Sequence, residues 1–90
     1  MSQGVTIYTT QYCPYCIRAR NLLDAKRVSY ENIAVDHDPQ LRREMMTRSG
    51  RSTVPQIWIG EQHIGGCDDM MLLERQGRLD ELLARAAVAP

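Results

Sequence analysis

A chain of 90 residues with 11 basic and 11 acidic side chains is read as one small domain, residues 1–90, large enough to bury roughly 60–65% of the surface its unfolded form exposes. The flat charge balance points away from nucleic acid and anionic membranes as main partners, and no apolar run approaches the roughly 18 residues that a membrane span requires. The few residues ahead of the first strand-like segment leave no room for a signal peptide, so the reducing cytoplasm is the expected compartment.

Val5–Thr9 (VTIYT) is β-branched and aromatic and predicts a strand. From Pro14 onward Ala19, Leu22 and Leu23 share one helical face, with basic side chains elsewhere. Val28–Val35 predicts a second strand with Val28, Tyr30 and Ile33 turned inward. Asp38-Pro39 opens the next helix, the aspartate accepting first-turn N–H groups and the proline suiting the first helical position. That helix carries Leu41 and Met45 on one face and stops at Gly50. Gln56–Gly60 and Gln62–Gly65 predict two short strands joined by a tight Gly60-Glu61 turn. Asp68 or Asp69 is expected to cap a helix running through Met70–Gln76, and after Gly77 the residues Leu79, Leu82, Leu83 and Ala86 trace a last amphipathic helix. Met45, Met46, Met70 and Met71 read as core and rim. His37 and His63, with no partner set by spacing, read as surface or loop residues.

The order β-α-β-α-β-β-α-α places the chain in the α/β class: a mixed four-stranded sheet with helices on both faces, the thioredoxin-like arrangement. Within it, the stretch TTQYCPYC holds two of the three cysteines, Cys13 and Cys16, with Cys67 much later. An odd cysteine count fits a disulfide-stapled secreted scaffold poorly. Cys13, Cys16, His63 and Cys67 together supply a zinc-compatible ligand set. His63 in a strand and Cys67 at a helix start, however, are expected to lie across the sheet from one another, and no metal is expected.

Position favours a redox pair. Cys13 falls between strand and helix, and Pro14 is a natural first helical residue without an N–H. The Cys13 sulfur therefore sits at the helix cap, where the N–H groups of Tyr15 and Cys16 and the positive helix end stabilise negative charge. Cys13 is the expected nucleophile, and Cys16, inside the first turn, is placed to resolve a mixed disulfide formed on it. Cys67 reads on its own as a small packed residue.

CPYC (Cys13–Cys16), TVP (Thr53–Pro55) and GGCDD (Gly65–Asp69) together resemble the dithiol glutaredoxins of the short bacterial, glutaredoxin 3 type, from Val5 to about Leu83. The resemblance implies a glutathione-dependent thiol–disulfide oxidoreductase with Cys13 and Cys16 as its catalytic pair. By the same resemblance Pro55 is a cis proline facing the nucleophile, and Thr53 and Val54 belong to the glutathione site, the Val54 backbone pairing with the extended tripeptide. Gly66, Cys67 and Asp68 hold the γ-glutamyl end, Tyr15 lines the groove, and Arg42 or Arg51 meets the glycyl carboxylate. Glutathione is then a co-substrate and not a resident cofactor. The implied partners are disulfide-bearing or glutathionylated proteins, a ribonucleotide reductase among the family-level candidates, and the chain is expected to be a monomer.

Two alternatives within the same family are an iron–sulfur carrier and an electron donor recharged by thioredoxin reductase. Pro14 and Cys16 argue against the first, since cluster carriers typically hold serine at the resolving position; TVP and GGCDD argue against the second. Two departures from the family pattern stand out. Thr10 occupies the place where many relatives carry a lysine, so Cys13 relies on helix-end donors, and Trp58 replaces a usual phenylalanine in the core.

Overall fold

The computed structural model describes residues 4–88, with side chains to residue 86; the outermost residues of the 1–90 span lie outside the described residues. The chain runs through β1 (Val5–Thr9), α1 (Pro14–Ala25), β2 (Tyr30–Ala34), α2 (Pro39–Ser49), β3 (Gln56–Ile59), β4 (Gln62–Gly65), α3 (Cys67–Arg75) and α4 (Leu79–Val88).

Alternation along the central strands puts a hydrophobic surface on both sides of the sheet. Val5 and Ile7 of β1 with Ile57 and Ile59 of β3 face a core completed by Ala19, Leu23, Cys67, Met70, Leu79 and Leu83, contributed by α1, α3 and α4. Tyr8 and Trp58 face the opposite way, onto Met45 of α2, Val35 and the partly buried Ile33 and Leu41. A sheet with apolar residues on both faces must be covered twice, and helices therefore lie on both. The strand order is β2-β1-β3-β4, with β1 parallel to β2, antiparallel to β3, and β3 antiparallel to β4. This is the thioredoxin-like arrangement. It brings the ends of β1 and β2, the start of β3 and the end of β4 to one pole of the molecule.

Local chemistry sets most boundaries. Asp38 Oδ1 accepts from the N–H groups of Gln40 and Leu41, each at 3.1 Å, and Gly50 closes α2 in the left-handed region at φ 71°. Gly60, at φ 62°, makes the turn between β3 and β4. At its C-terminal end α1 is tied to the last two helices by Lys26 Nζ, which lies 2.8 Å from Glu74 Oε1 and 2.6 Å from Asp80 Oδ1.

Two boundaries differ from expectation by two residues or more. β2 starts at Tyr30, not Val28, because the Val28 N–H returns to Leu23 O at 3.1 Å, closing α1 through Arg27 at φ 58°. Val28 still packs against the first core. α3 starts at Cys67, earlier than expected, with Gly66 as its N-cap in place of Asp68 or Asp69. The helix can begin there because two consecutive glycines bring it close to neighbouring chain. Gly65 adopts φ 117°, and a side-chain carbon on it would fall 2.7 Å from Asp69 Cγ; one on Gly66 would fall 3.4 Å from Pro55 O.

Gly65→Ala should therefore lower unfolding stability by about 1–3 kcal/mol, through left-handed strain and the clash with Asp69. In urea melts, Gly65→Ala should cost less in an Asp69→Ala background than in the native one, because the clash is then gone; equal stabilities of native protein and Gly65→Ala would contradict this account.

Candidate active site

Three segments meet at that pole: the N-terminus of α1, the loop into β3 and the β4–α3 junction. Cys13 is the N-cap of α1, in extended conformation, with Pro14 as first helical residue. Its Sγ accepts from the Cys16 N–H at 3.3 Å, and its carbonyl accepts from Ile17 N at 3.0 Å. Of the two donors expected at the sulfur, Cys16 N is the one that bonds it, since an N-cap side chain reaches the third residue of the first turn. The half-buried thiol also donates to Val54 O at 3.7 Å, which places the sulfur against the loop into β3. The preceding turn is held by Gln11 N, which donates to Asp36 Oδ2 at 2.9 Å and keeps the Asp36 carboxyl below the usual carboxylate range.

The Val54-Pro55 bond is cis. Beside it lies an open groove of about 340 Å³ lined by Tyr15, Arg51, Thr53, Pro55, Gly66, Cys67, Asp68 and Asp69. The structure thus gathers Tyr15, Thr53, Pro55, Gly66, Cys67, Asp68 and Arg51 as the sequence suggested, with Val54 offering its carbonyl to Cys13. Arg42 stands outside this lining, its Nη2 donating to Ser52 O at 3.1 Å. A larger hollow of about 550 Å³ lies at the opposite end of β1, among Gly4, Val28, Lys26 and Leu83, and carries no cysteine or histidine.

The glutaredoxin family model matches residues 5–64 of the chain. Over 80 residues the sequence is 59% identical to a glutaredoxin of Pseudomonas aeruginosa, covering 89% of this chain and 95% of that protein. It is 54% identical to glutaredoxin 3 of Escherichia coli, covering 89% and 96%. The fold superimposes on a buckwheat glutaredoxin–glutathione complex with a TM-score of 0.87 at 30% identity, over 97% of this chain and 82% of that one. The chain belongs to the glutaredoxin family. Its role is accordingly that of a thiol–disulfide oxidoreductase.

In this glutaredoxin the three cysteines are free thiols in unequal surroundings. Cys16 is wholly buried, and its thiol is pushed up to about 12, first by burial, then by its hydrogen bond with Cys13 and the charge there. The Thr10 backbone N–H and the Arg20 guanidinium oppose that rise. Burial also raises Cys67, with Arg18 opposing and Asp68 and Cys13 adding to the effect. Thr10 therefore acts on the dithiol through its backbone, and the nearby cations come from α1. Brief iodoacetamide treatment of the reduced protein near neutral pH should add one group per chain, on Cys13, because Cys16 and Cys67 hold little thiolate there. Peptide mass mapping checks this; equal labelling of Cys16 would contradict it.

The sequence named Asp69 only as one of two candidate caps and His63 only as a surface or loop residue; the structure gives each a defined partner. Asp69 Oδ2 accepts from Gly66 N and from Arg51 Nη1, both at 2.9 Å. One carboxylate thus supplies the return half of a capping box for α3 and joins it to the loop bearing Thr53. The spacing Gly66-x-x-Asp69 is the signal that separates Asp69 from Asp68. Asp68 is exposed in the first turn and caps nothing. His63, read as a surface or loop residue, is instead half-buried in β4: its Nε2 lies 2.7 Å from Gln56 Oε1, and its ring packs tilted against Trp58, centroids 4.7 Å apart. Trp58 itself is core, edge-on to Tyr8 at 5.3 Å. His63 thereby lies on the α2 side of the sheet, while Cys16 and Cys67 lie on the other, and the zinc-like set is split. Among the described residues no three His, Cys, Asp or Glu side chains gather as metal ligands.

The Gly66 N–H, then Arg51, hold the Asp69 carboxyl below its ordinary value. A carboxyl lowered in the folded state stabilises the fold above its unfolded value, about pH 4, and the contribution fades as pH falls through the folded value. Asp69→Asn should therefore lower stability at pH 7 and flatten its decline below about pH 4, as read from denaturant midpoints across pH. An unchanged acid limb would remove Asp69 from this role.

Proposed function

We propose that this glutaredoxin uses glutathione to reduce protein disulfides and protein–glutathione mixed disulfides, with Cys13 as nucleophile and Cys16 as resolving thiol. The observation that carries the reading is the groove beside Cys13, walled on one side by the Thr53–Pro55 segment and on the other by the start of α3. The buckwheat relative of the same fold is a glutathione complex. In the proposed pose the tripeptide extends along Val54 as an added strand. Its γ-glutamyl carboxylate takes the unpaired first-turn N–H groups of Cys67 and Asp68, and the Asp68 carboxylate meets its ammonium. Arg51, at the groove edge, presents its remaining donors to the glycyl carboxylate, while Arg42 steadies Ser52 behind it.

The Cys13 thiolate attacks the glutathionyl sulfur of a mixed disulfide; the S–S bond breaks and the protein thiolate leaves, taking a proton from water. A second glutathione thiolate then attacks the Cys13–glutathione disulfide, releasing glutathione disulfide and restoring the Cys13 thiolate. With a protein disulfide, Cys13 bonds one sulfur and the other leaves as thiolate. Cys16 next loses its proton and attacks the Cys13 sulfur, freeing the reduced substrate and leaving a Cys13–Cys16 disulfide. Two glutathione molecules return this to the dithiol, giving one glutathione disulfide for the two electrons delivered. Once Cys13 is in a mixed disulfide, burial still raises Cys16, but the hydrogen bond and charge of Cys13 that add to it are gone, while Thr10 N–H and Arg20 still favour its thiolate. Resolution is thereby delayed until there is a disulfide to resolve. Potentials of about −200 to −230 mV are general for such proteins, which makes the exchange with the glutathione pool reversible.

With glutathione and its reductase as the electron source, Cys16→Ser should keep deglutathionylation and lose dithiol reduction, and Cys13→Ser should lose both. Loss of both activities in Cys16→Ser would overturn the division of labour. Turnover with thioredoxin reductase but not with glutathione would overturn the choice of reductant.

A further inference from the structure

We infer that Gln56 and His63 are positioning residues that fix the Thr53 wall of the groove and turn the Thr53 hydroxyl into a hydrogen-bond donor toward the bound tripeptide. This rests on the glutathione reading above and extends it to two side chains behind the groove.

Gln56 is the first residue of β3 and follows Pro55 directly. Its side chain is wholly buried, so each polar atom needs a partner. Its Nε2 lies 3.0 Å from Thr53 O and 3.3 Å from Thr53 Oγ1, and its Oε1 lies 2.7 Å from His63 Nε2. The chemistry settles the direction of every bond. Thr53 O can only accept, so the Gln56 atom facing it is the amide nitrogen and the atom facing His63 is the carbonyl oxygen. His63 Nε2 must then carry the hydrogen. Thr53 Oγ1 in turn accepts from Gln56, which leaves its own hydrogen to be given outward, where Thr53 is exposed at the groove. The sequence of donors runs His63 Nε2–H to Gln56, Gln56 Nε2–H to Thr53, and Thr53 Oγ1–H to an acceptor on the ligand, a carboxylate or peptide carbonyl. Bonds aligned in this way polarise and strengthen one another.

The origin of the relay is packed on several sides. The His63 ring lies tilted against Trp58 at 39°; Arg48 lies 4.6 Å over the Trp58 ring and donates to Tyr8 Oη at 2.8 Å. Thr53, exposed itself, has little packing of its own to set its orientation. The packed face beneath α2 therefore reaches the groove through a single amide.

The test measures kcat and KM for a small glutathione mixed disulfide, and separately the rate at which the reduced protein reacts with dithiodipyridine, which has no glutathionyl group. His63→Leu and Gln56→Leu, each checked for a native circular dichroism spectrum and melt, should raise KM about three- to tenfold, the range of one lost net hydrogen bond, with a smaller change in kcat. His63→Gln retains a donor and should recover most of the loss, and Thr53→Val should reproduce the KM rise whatever the fate of Gln56→Leu. An unchanged KM in folded His63→Leu, or equal losses of His63→Leu and His63→Gln, would overturn the inference. If the native protein showed no preference for the glutathione mixed disulfide over dithiodipyridine, the glutathione reading itself would fail, a different result from either.

Discussion

One carboxylate oxygen bridges the two walls of the candidate active-site groove. Asp69 Oδ2 takes the Gly66 N–H at the start of α3 and the Arg51 guanidinium on the loop that leads to Thr53. These segments otherwise belong to different parts of the fold, one ending β4 and the other leaving α2. The absence of side chains at Gly65 and Gly66 lets α3 begin within contact distance of Pro55 O. The groove is the space that remains once this closest approach is set. Its first-turn N–H groups point into it because a helix that starts there has no earlier carbonyls to accept them.

The two sides of the sheet divide the work. On the side of α1, α3 and α4 stand the buried thiols Cys16 and Cys67, whose burial raises both. On the α2 side Tyr8, Trp58, His63 and Gln56 meet Arg48 of α2, a face with more polar groups, each bonded or packed against a ring. Cys13 stands at the seam, bonded to α1 on one side and to the Val54 carbonyl on the other. The cysteine proposed as nucleophile is thus held by the helix that it caps and by the element proposed to receive its substrate.

The inequality of Cys13 and Cys16 follows from the first turn of one helix. A cap residue is half-exposed and accepts N–H bonds, while the third helical residue points down onto the core. Burial and the neighbouring sulfur together hold Cys16 protonated, and only the second of these is removed when Cys13 is oxidised. Thr10 acts on Cys16 through its backbone N–H, a group that does not depend on the side chain at that position.

By itself the sequence determined what depends on neighbours within a turn or two: the cap at Cys13-Pro14, the Asp38-Pro39 helix start, the left-handed stop at Gly50, the Gly60 turn and the apolar faces that imply a doubly covered sheet. It also marked most of the groove, since Thr53–Pro55 and Gly65–Asp69 are contiguous segments whose order matched a known family. Only the packing of distant elements brought Arg51 to Asp69 across 18 positions and Cys13 to Val54 across 41. It also turned His63 inward onto Gln56, through a cross-strand neighbourhood that no spacing rule specifies. The reason is the range of the forces involved. Capping and turn formation are settled by backbone geometry a few residues away, whereas a hydrogen bond between distant side chains exists only when packed elements bring donor and acceptor within about 3 Å.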